Sequence, residues 1–546
     1  MSLRLTSSAL ALAVMTAPAF ADVAPEEVWQ SWVDYYQSLG YTVTEGGRDK
    51  AGGTLTLNDI TITGWADSSK VVTKVPQVRL SDAGDGKVRS VFAERMTMDI
   101  SGTDEDGAEF SVPVVVDMPG NSMLTSGAPQ DMTHDFDYPV IDVTLSTIRT
   151  NGQDRAIPIT FKLENSAGQF HGAPSKYDYR MTSAKLAFQG EVTDENADKV
   201  RFQGDMAGLE SQGTMIGPAR ASNLDTDLAR AMESGHDIEG ALLARALESG
   251  LAIEGALKLG SLAATFDFSG KDEDGQPTSG AGKYDGKGLD AGFSMSRDGL
   301  GYRVGSDAVA FEMTSPQLPM PIRYGIQSAS MDLQLPISRN ETPQPFKLAY
   351  SLAGLTLGDE MWAMFDPEAR LPRDPASLDL DLTGLMKVTV NLLDPRSPAS
   401  DDEPPADATD DATAEGMDPD APADDAEAMA DAEEAISPPM APVEVTINQI
   451  ALDALGAKVS ATGSLKAPEG GDINTPLGQV HAEYEGVNGL LDKLGAMGLI
   501  PQDQMMGVRM MLAMFAKPVD GNPDKLTTDL DFRDGGQIFA NGQQIK

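Results

Sequence analysis

Alternation of apolar and polar residues constrains this chain more than any other feature. The segments 96–100, 378–383 and 443–447 place an apolar residue at every second position. Because side chains alternate across a strand, this predicts strands with one buried and one wet face, as in antiparallel sheets. Asp-Gly pairs, which suit tight hairpin turns, begin at Asp85, Asp106, Asp274, Asp285, Asp298 and Asp534. We predict a mainly β (α+β) fold, an extended, curved antiparallel β-meander with a few packing helices.

Helices are predicted at few places. Pro25 to Leu39 carries its tryptophans and tyrosines at helical spacing, and Gly40 ends it. Further helices are predicted at 223–235, 488–497 and 501–516, and Asp359 is predicted to cap a single turn at 361–365. Within 55–62 the apolar parity slips by one residue, which predicts a bulge or tight turn at Asn58–Asp59.

Two groups of apolar residues are candidate contacts for a ligand or partner. The predicted helix 501–516 carries five methionines, Met505, Met506, Met510, Met511 and Met514. Methionine adapts to irregular surfaces, so these side chains either fill gaps in a core or line a site for an acyl chain or other amphiphile. Trp362 and Phe365 either anchor a rigid corner, which ends in the proline-flanked pair Arg373–Asp374, or contact a ligand or partner.

The first 21 residues have the pattern of a secretory signal peptide. Arg4 supplies the positive charge, residues 9–15 supply the apolar core, and Ala19 to Ala21 is a small-x-small cleavage site. We therefore expect cleavage between Ala21 and Asp22 and a soluble periplasmic protein, with secretion as the alternative. The chain has no cysteine, which excludes disulfides and a lipid-modified N-terminal cysteine, and we expect no transmembrane segment in the mature chain.

An acidic segment divides the chain. Residues 401–434 hold fifteen Asp and Glu, no Lys or Arg and no aromatic residue, so they cannot bury enough apolar surface to fold. We predict a signal peptide at 1–21, a large β-rich domain at 22–394, a disordered Pro/Ala/Asp-rich linker at 395–442, and C-terminal strands with a helix pair at 443–546 that complete the same sheet. The linker is either a solvated spacer or a tether for cations or a cationic partner.

Charge and missing motifs exclude several function classes. A net charge of -43 repels nucleic acid, so we expect no nucleic-acid partner. The sequence has no nucleotide-binding glycine motif, no G-x-S-x-G and no H-E-x-x-H, and none of its four histidines has a second one at metal-ligand spacing. We therefore predict no catalytic residues, cofactor or metal site. A carboxylate-based hydrolase stays open, because no acid pair can be selected from 84 acidic residues.

Several motifs together resemble one family. Ala21-Asp22-Val23 with 25–29, 361–367 with 371–376, and the tail from Gly489 to Gly542 resemble the exported alphaproteobacterial proteins grouped as domain of unknown function 2125. That family has no assigned activity, so the resemblance implies no catalytic residues. A more distant likeness to AsmA-like envelope proteins rests on long amphipathic β-meanders and a terminal hairpin, and fold alone does not license function.

Three hypotheses for function follow. The first is a non-enzymatic envelope protein that binds lipid or another amphiphile. The second is a structural or interaction module for an envelope protein, and the third is the carboxylate-based hydrolase. Whether the sheet encloses an open apolar groove or packs shut distinguishes the first hypothesis from the others.

Overall fold

The structure is a computed structural model that describes residues 22–66, 69–104, 107–173, 175–194, 198–217, 239–272, 274–393, 439–469 and 473–546. The predicted signal peptide, the helix at 223–235 and the acidic segment 401–434 lie outside these residues. Five helices occur in the described ranges: α1 (Pro25–Ser38), α2 (Glu239–Glu248), α3 (Asp359–Phe365), α4 (Val487–Ala496) and α5 (Gln502–Phe515).

Twenty-seven strands are described. The first nine are β1 (Thr42–Thr44), β2 (Gly47–Ala51), β3 (Thr54–Ala66), β4 (Ser69–Gly84), β5 (Lys87–Phe92), β6 (Arg95–Thr103), β7 (Glu109–Asp117), β8 (Ser122–Ala128) and β9 (Asp131–Thr150). The next nine are β10 (Gln153–Ala173), β11 (Lys176–Thr193), β12 (Lys199–Ile216), β13 (Ala252–Lys271), β14 (Pro277–Ser296), β15 (Gly299–Ser306), β16 (Ala308–Thr314), β17 (Ile322–Ile326) and β18 (Ser328–Leu335). The last nine are β19 (Asn340–Leu357), β20 (Ala376–Val388), β21 (Met440–Ala454), β22 (Ala457–Lys466), β23 (Leu477–Glu485), β24 (Lys517–Val519), β25 (Asn522–Arg533), β26 (Gln537–Ala540) and β27 (Gln543–Gln544).

All of these strands join one antiparallel sheet, which confirms the mainly β fold class. Most neighbours in the sheet are neighbours in sequence, so the sheet is a long meander. β20 pairs with β21, with Leu382 opposite Ile447, so the ladder continues from one side of residues 394–438 to the other.

The predicted turns at Asp85, Asp274, Asp298 and Asp534 connect paired strands, the one at Asp106 lies outside the described residues, and one turn and one cap are wrong. Asp85 (φ 52°) and Gly86 (φ 66°) form the tight turn between β4 and β5. Asp285, in contrast, lies inside β14, where it pairs with Ala263 and Ala310, so this Asp-Gly pair is not a turn. The helix α3 begins after Gly358, which makes no side-chain cap, so Asp359 is not the predicted cap.

A line of kinks crosses nine consecutive positions of the sheet. From β9 to β14 the ladder skips one residue in each strand without losing register, at Pro139, Asn165, Ala184, Gly208, Gly260 and Gly288. Further along, the ladder is interrupted over two residues around Asp307, Gln327 and Gly354. Four of these residues, Asn165, Gly208, Gly288 and Gly354, have a positive φ between 54° and 69°. Irregularities of this kind bend strands and strengthen their twist. We call these nine residues the kink line.

The apolar side of each strand changes parity where it crosses the kink line. In β13 the inward positions are Leu257 and Leu259 before the kink and Leu262 and Ala264 after it. The apolar side changes parity at the same position in the neighbouring strands. Apolar residues of one strand therefore stay paired with apolar residues of the next on both sides of the line. The irregularity predicted at Asn58–Asp59 is of the same kind. Asp59 (φ 51°) is left out of the pairing between β3 and β4, opposite a proline of β4.

The main buried core lies at the N-terminal end of the sheet. Its members are Val23, Val28, Trp29, Leu55, Leu57, Ile60, Val75, Val78, Leu80, Val88 and Met132. Helix α1 supplies Val28 and Trp29, and β3 and β4 supply the paired residues Leu57 and Val78. This core fixes α1 on one face of the sheet.

Candidate functional site

One face of the sheet is apolar along nearly its whole length. A row of directly paired residues, one per strand, runs across β10–β15, β18–β23, β25 and β26. Its members are Phe170, Tyr179, Gly213, Gly255, Phe293, Tyr302, Leu333, Leu348, Leu382, Ile447, Gly463, Val480, Leu530 and Ala540. We call it row one. Paired residues of an antiparallel ladder point to the same face, so row one is a continuous strip without a charge.

A second strip lies on the same face beyond the kink line. Row two consists of Phe161, Phe188, Gly204, Ala264, Tyr284, Phe311, Tyr324 and Leu357. Gly255 of row one and Ala264 of row two lie on the same strand, β13, with leucines between them. We call the surface that holds both rows the apolar sheet face.

The middle of the apolar sheet face is exposed. Ten large apolar side chains of this face are more than a third exposed: Phe161, Tyr179, Val200, Met215, Leu257, Phe293, Tyr302, Tyr350, Leu378 and Leu452. In the described strands from β10 to β18, Ile157 and Leu209 are the only large apolar residues that are less than a tenth exposed. Monomeric proteins rarely leave so extended an apolar surface in water unless it binds something.

Aromatic rings lie against glycines of the neighbouring strand on this face. A Cβ atom placed on Gly204 would lie 2.5 Å from Cζ of Phe188, and one on Gly282 would lie 2.3 Å from Cζ of Phe266. Each ring is therefore in contact with the backbone of the strand beside it, a close approach that only glycine permits. The result is a thin aromatic layer whose outer surface faces away from the sheet.

A pair of buried serines lies beside the kink line on the apolar sheet face. Ser166 and Ser183, which flank the line on this face, are buried, and their hydroxyl oxygens are 3.1 Å apart. On the opposite face Ala207 and Lys287 beside the line are exposed, and Glu164 and Lys185 are half-buried.

Helix α1 covers the N-terminal end of this face. The Trp32 ring stacks on Phe92 with 5.7 Å between centroids and lies 6.0 Å from the ring of His134, which pairs with Phe170 of row one. Tyr35 lies over Phe170 at 6.4 Å. Row one therefore begins beneath α1.

His134 is a buried titratable group at this covered end. It is 4 % exposed, its Nδ1 lies 2.7 Å from the Thr125 hydroxyl, and its ring stacks on Phe170. Burial in these aromatic surroundings lowers the pKa of His134 to about 4, because desolvation disfavours the charged ring. The imidazole is therefore neutral at pH 7. The sequence indicated no partner for this histidine, because Thr125 and Phe170 reach it only through strand pairing.

Helix α4 covers the C-terminal end. It packs on β22 and β25, whose apolar-face residues Ala457, Leu526 and Thr528 are buried there. Helix α5 packs on α4, with Met505 against Gly495, and the Asn541 side chain donates a hydrogen bond to the Phe515 carbonyl oxygen at 2.8 Å. In the described part of the chain, α1 and α4 thus cover the two ends of the apolar sheet face, and ten large apolar side chains of this face between them stay more than a third exposed.

The five candidate methionines do not form a core. Met505 is half-buried, but Met506, Met510, Met511 and Met514 are 55–71 % exposed, and Leu499 beside them is also exposed. The interpretation of these side chains as gap-filling core is therefore wrong for four of the five. The sequence could not decide this, since helical spacing does not reveal which side of a helix is covered.

Trp362 and Phe365 lie together in a rigid corner. Their rings are 5.0 Å apart, the Arg373 guanidinium lies 5.4 Å from the Trp362 ring centre, and Trp362 is 6 % exposed. The buried Asp366 carboxylate accepts the backbone N–H groups of Arg370 and Leu371 at 2.8 and 2.9 Å. Desolvation would raise the pKa of Asp366, but these donors and the nearby arginines outweigh it and lower the pKa. Trp362 is therefore explained by its role as the anchor of this corner, and it offers little surface to a ligand.

The opposite face of the sheet carries the charges. A depression of about 750 Å³ on this face is open and is lined by polar residues such as Lys162, Asp205 and Lys283. Where surroundings shift the pKa of a carboxyl group they lower it, as Arg201 and Lys199 do for Glu191. The hydrolase hypothesis needs a carboxyl with a raised pKa, so these groups do not support it. Across the described ranges, no three His, Cys, Asp or Glu side chains are placed to hold a metal ion.

The comparisons with known proteins concern the C-terminal half. A family model described as an uncharacterized protein conserved in bacteria (DUF2125) matches residues 272–539. This match supports the resemblance read from the motifs at 361–376 and in the tail, and it covers the sheet from β14 into β26. The motif at Ala21–Trp29 lies outside it. No curated protein and no solved structure matches the chain.

Each helix in the described part of the chain falls short of the length and apolarity that a membrane crossing requires.

Proposed function

We propose that the protein is exported to the periplasm and there binds lipid or another amphiphile, without catalysis, on the open middle of the apolar sheet face. The single observation that carries the proposal is the uncharged ladder of row one, whose exposed aromatic rings and half-buried leucines lie between two helix-capped ends. Burying such a surface under an acyl chain is favourable by about 25 cal/mol per Å² of apolar area.

The proposal extends to the whole chain. The two parts of the chain on either side of the predicted linker form one binding sheet. The second part begins earlier than the predicted residue 443, because β21 starts at Met440. The family relation of residues 272–539 extends to the N-terminal strands, since the same ladder, kink line and apolar face continue through them. The pattern of residues 1–21 supports export, and secretion from the cell is the alternative location.

Lipid uptake by the full chain tests the proposal. The protein is purified from periplasm without detergent and its bound lipids are identified by mass spectrometry, after which it is delipidated and mixed with phosphatidylethanolamine vesicles. Native protein without lipid and delipidated protein without uptake would together reject it. Secreted protein recovered from the medium would reject only the periplasmic location.

Two neighbouring residues provide a matched pair of variants. Phe293 lies on the apolar sheet face and is 39 % exposed, whereas Ser294 is exposed on the opposite face. We expect Phe293→Glu to lower the amount of lipid bound and Ser294→Glu to leave it unchanged, with equal thermal midpoints for the two. Equal lipid binding by both variants would place the lipid elsewhere.

A second candidate function is an interaction module for another envelope protein. It is favoured by the exposed methionines of α5, which form an apolar surface outside the apolar sheet face. A stoichiometric partner recovered from periplasm by cross-linking, and lost in the variant Met506→Gln with Met510→Gln, would support this candidate. Retention of the partner in that variant would exclude α5 as the contact.

A further inference from the structure

We infer that the open part of the apolar sheet face holds the acyl chains of more than one lipid molecule at a time. This inference rests on the proposed function and adds a capacity and a substrate class to it. The substrate class is long-chain lipids whose tails lie on the rows and whose headgroups stay outside them.

The length of the open interval is the first argument. The open part of row one is the interval over which side chains of its face are exposed, from Tyr179 on β11 to β21, where Leu452 is 45 % exposed, and this path crosses nine strands. With strands about 4.8 Å apart, this path is about 38 Å long. The hydrocarbon core of a bilayer is about 30 Å thick and contains two opposed leaflets, so one lipid tail spans about 15 Å. A single tail therefore covers less than half of the open part of row one.

The width of the face is the second argument. Gly255 and Ala264 are nine residues apart on β13, so the two rows are separated by about 30 Å at a rise of about 3.3 Å per residue. Leu257, Leu259 and Leu262 fill the space between them on the same face. One diacyl lipid cannot cover both rows over their open length, and it would leave most of the exposed apolar surface in water.

The capped ends define how the lipids enter and where their headgroups lie. Tyr35 of α1 lies over Phe170 at one end, and α4 packs on β22 and β25 at the other. Lipids therefore enter from the side, through the open middle. Neither row contains a charged residue, so the ladder offers no ion pair to a headgroup and retains the tails alone.

The ratio of lipid to protein at saturation tests the inference. Delipidated full-length chain is loaded from vesicles of phosphatidylethanolamine with 18-carbon tails, separated from them, and measured by native mass spectrometry and phosphorus assay. We expect two or more lipids per chain, and a loss of at least one, but not all, in Phe293→Glu. Ser294→Glu is the control and keeps the wild-type ratio.

The outcomes separate the inference from the proposed function. A saturating ratio of one overturns the inference and leaves lipid binding intact, whereas a ratio of zero rejects both. Loss of all bound lipid in Phe293→Glu, with an unchanged melting temperature, would also overturn the inference, because it would indicate one indivisible site.

Discussion

Acidification should destabilise the N-terminal end of the sheet through one residue, His134. The pKa of His134 is about 4 in the folded chain, because of burial, and 6.5 in the unfolded chain. Between these values the unfolded chain binds a proton that the folded chain does not, so stability is complete above pH 6.5 and falls as the pH drops toward 4. At 1.36 kcal/mol per pKa unit, the loss from pH 7 to pH 4 is about 3 kcal/mol.

Urea denaturation at pH 7 and pH 4, followed by tryptophan fluorescence, measures this loss. Trp32 lies 6.0 Å from His134, so the signal reports on the same core. Other acid-sensitive groups act equally in wild type and in His134→Gln, and the difference between the two pH dependences isolates the histidine. We expect the wild type to lose about 3 kcal/mol more than the variant over this range.

His481 provides a control of opposite sign. It is half exposed, and its hydrogen bond to Asp529 raises its pKa. A raised folded-state pKa gives stability that is present at acid pH and is lost as the pH rises through it, so His481→Gln should cost stability only at acid pH. Identical pH dependences in wild type and His134→Gln would refute the reasoning, since His134 would then titrate alike in the folded and unfolded chains.

Two further predictions concern the glycine contacts and the exposed methionines. Gly282→Ala should lower the free energy of unfolding by about 1–3 kcal/mol, because its new Cβ would overlap the Phe266 ring, whereas Gly292→Ala, whose Cβ would have its nearest neighbour at 3.9 Å, should cost less. Equal costs in urea denaturation would contradict the aromatic contact. Met506→Gln should change the free energy of unfolding by no more than about 0.5 kcal/mol, since this side chain is 71 % exposed, and a larger loss in the same assay would indicate a covered helix face.

The sequence predicted local structure closely where the signal was local. The alternation at 378–383 and 443–447 lies in β20 and β21, and the predicted helix at Pro25–Leu39 differs from α1 by one residue. The prediction from sequence failed where the same local pattern is compatible with a turn and with a continuous strand. The Asp285–Gly286 pair has the chemistry of a turn, but two neighbouring strands extend the ladder across it, so it lies within β14.

The candidate site could be predicted only in part. Each strand showed an apolar side, but row one depends on which residue of one strand lies opposite which residue of the next. The spacing of apolar residues in β13 and β14 does not state that Gly255 pairs with Phe293. If β13 and β14 paired one residue out of register, the apolar side of one strand would lie on the opposite face of the sheet from the apolar side of the other. The kinks lie at the same position in both strands, so the apolar sides stay on one face.

By itself the sequence determined that the chain forms amphipathic strands, that it carries an excess of acidic residues, and that its first 21 residues have an export pattern. Only the tertiary structure decided that the apolar sides join into one face, that Met506 and its neighbours are exposed, and that helices cap both ends. The physical reason is that periodicity is a property of each strand alone, whereas register, burial and coverage depend on contacts between residues far apart in the chain.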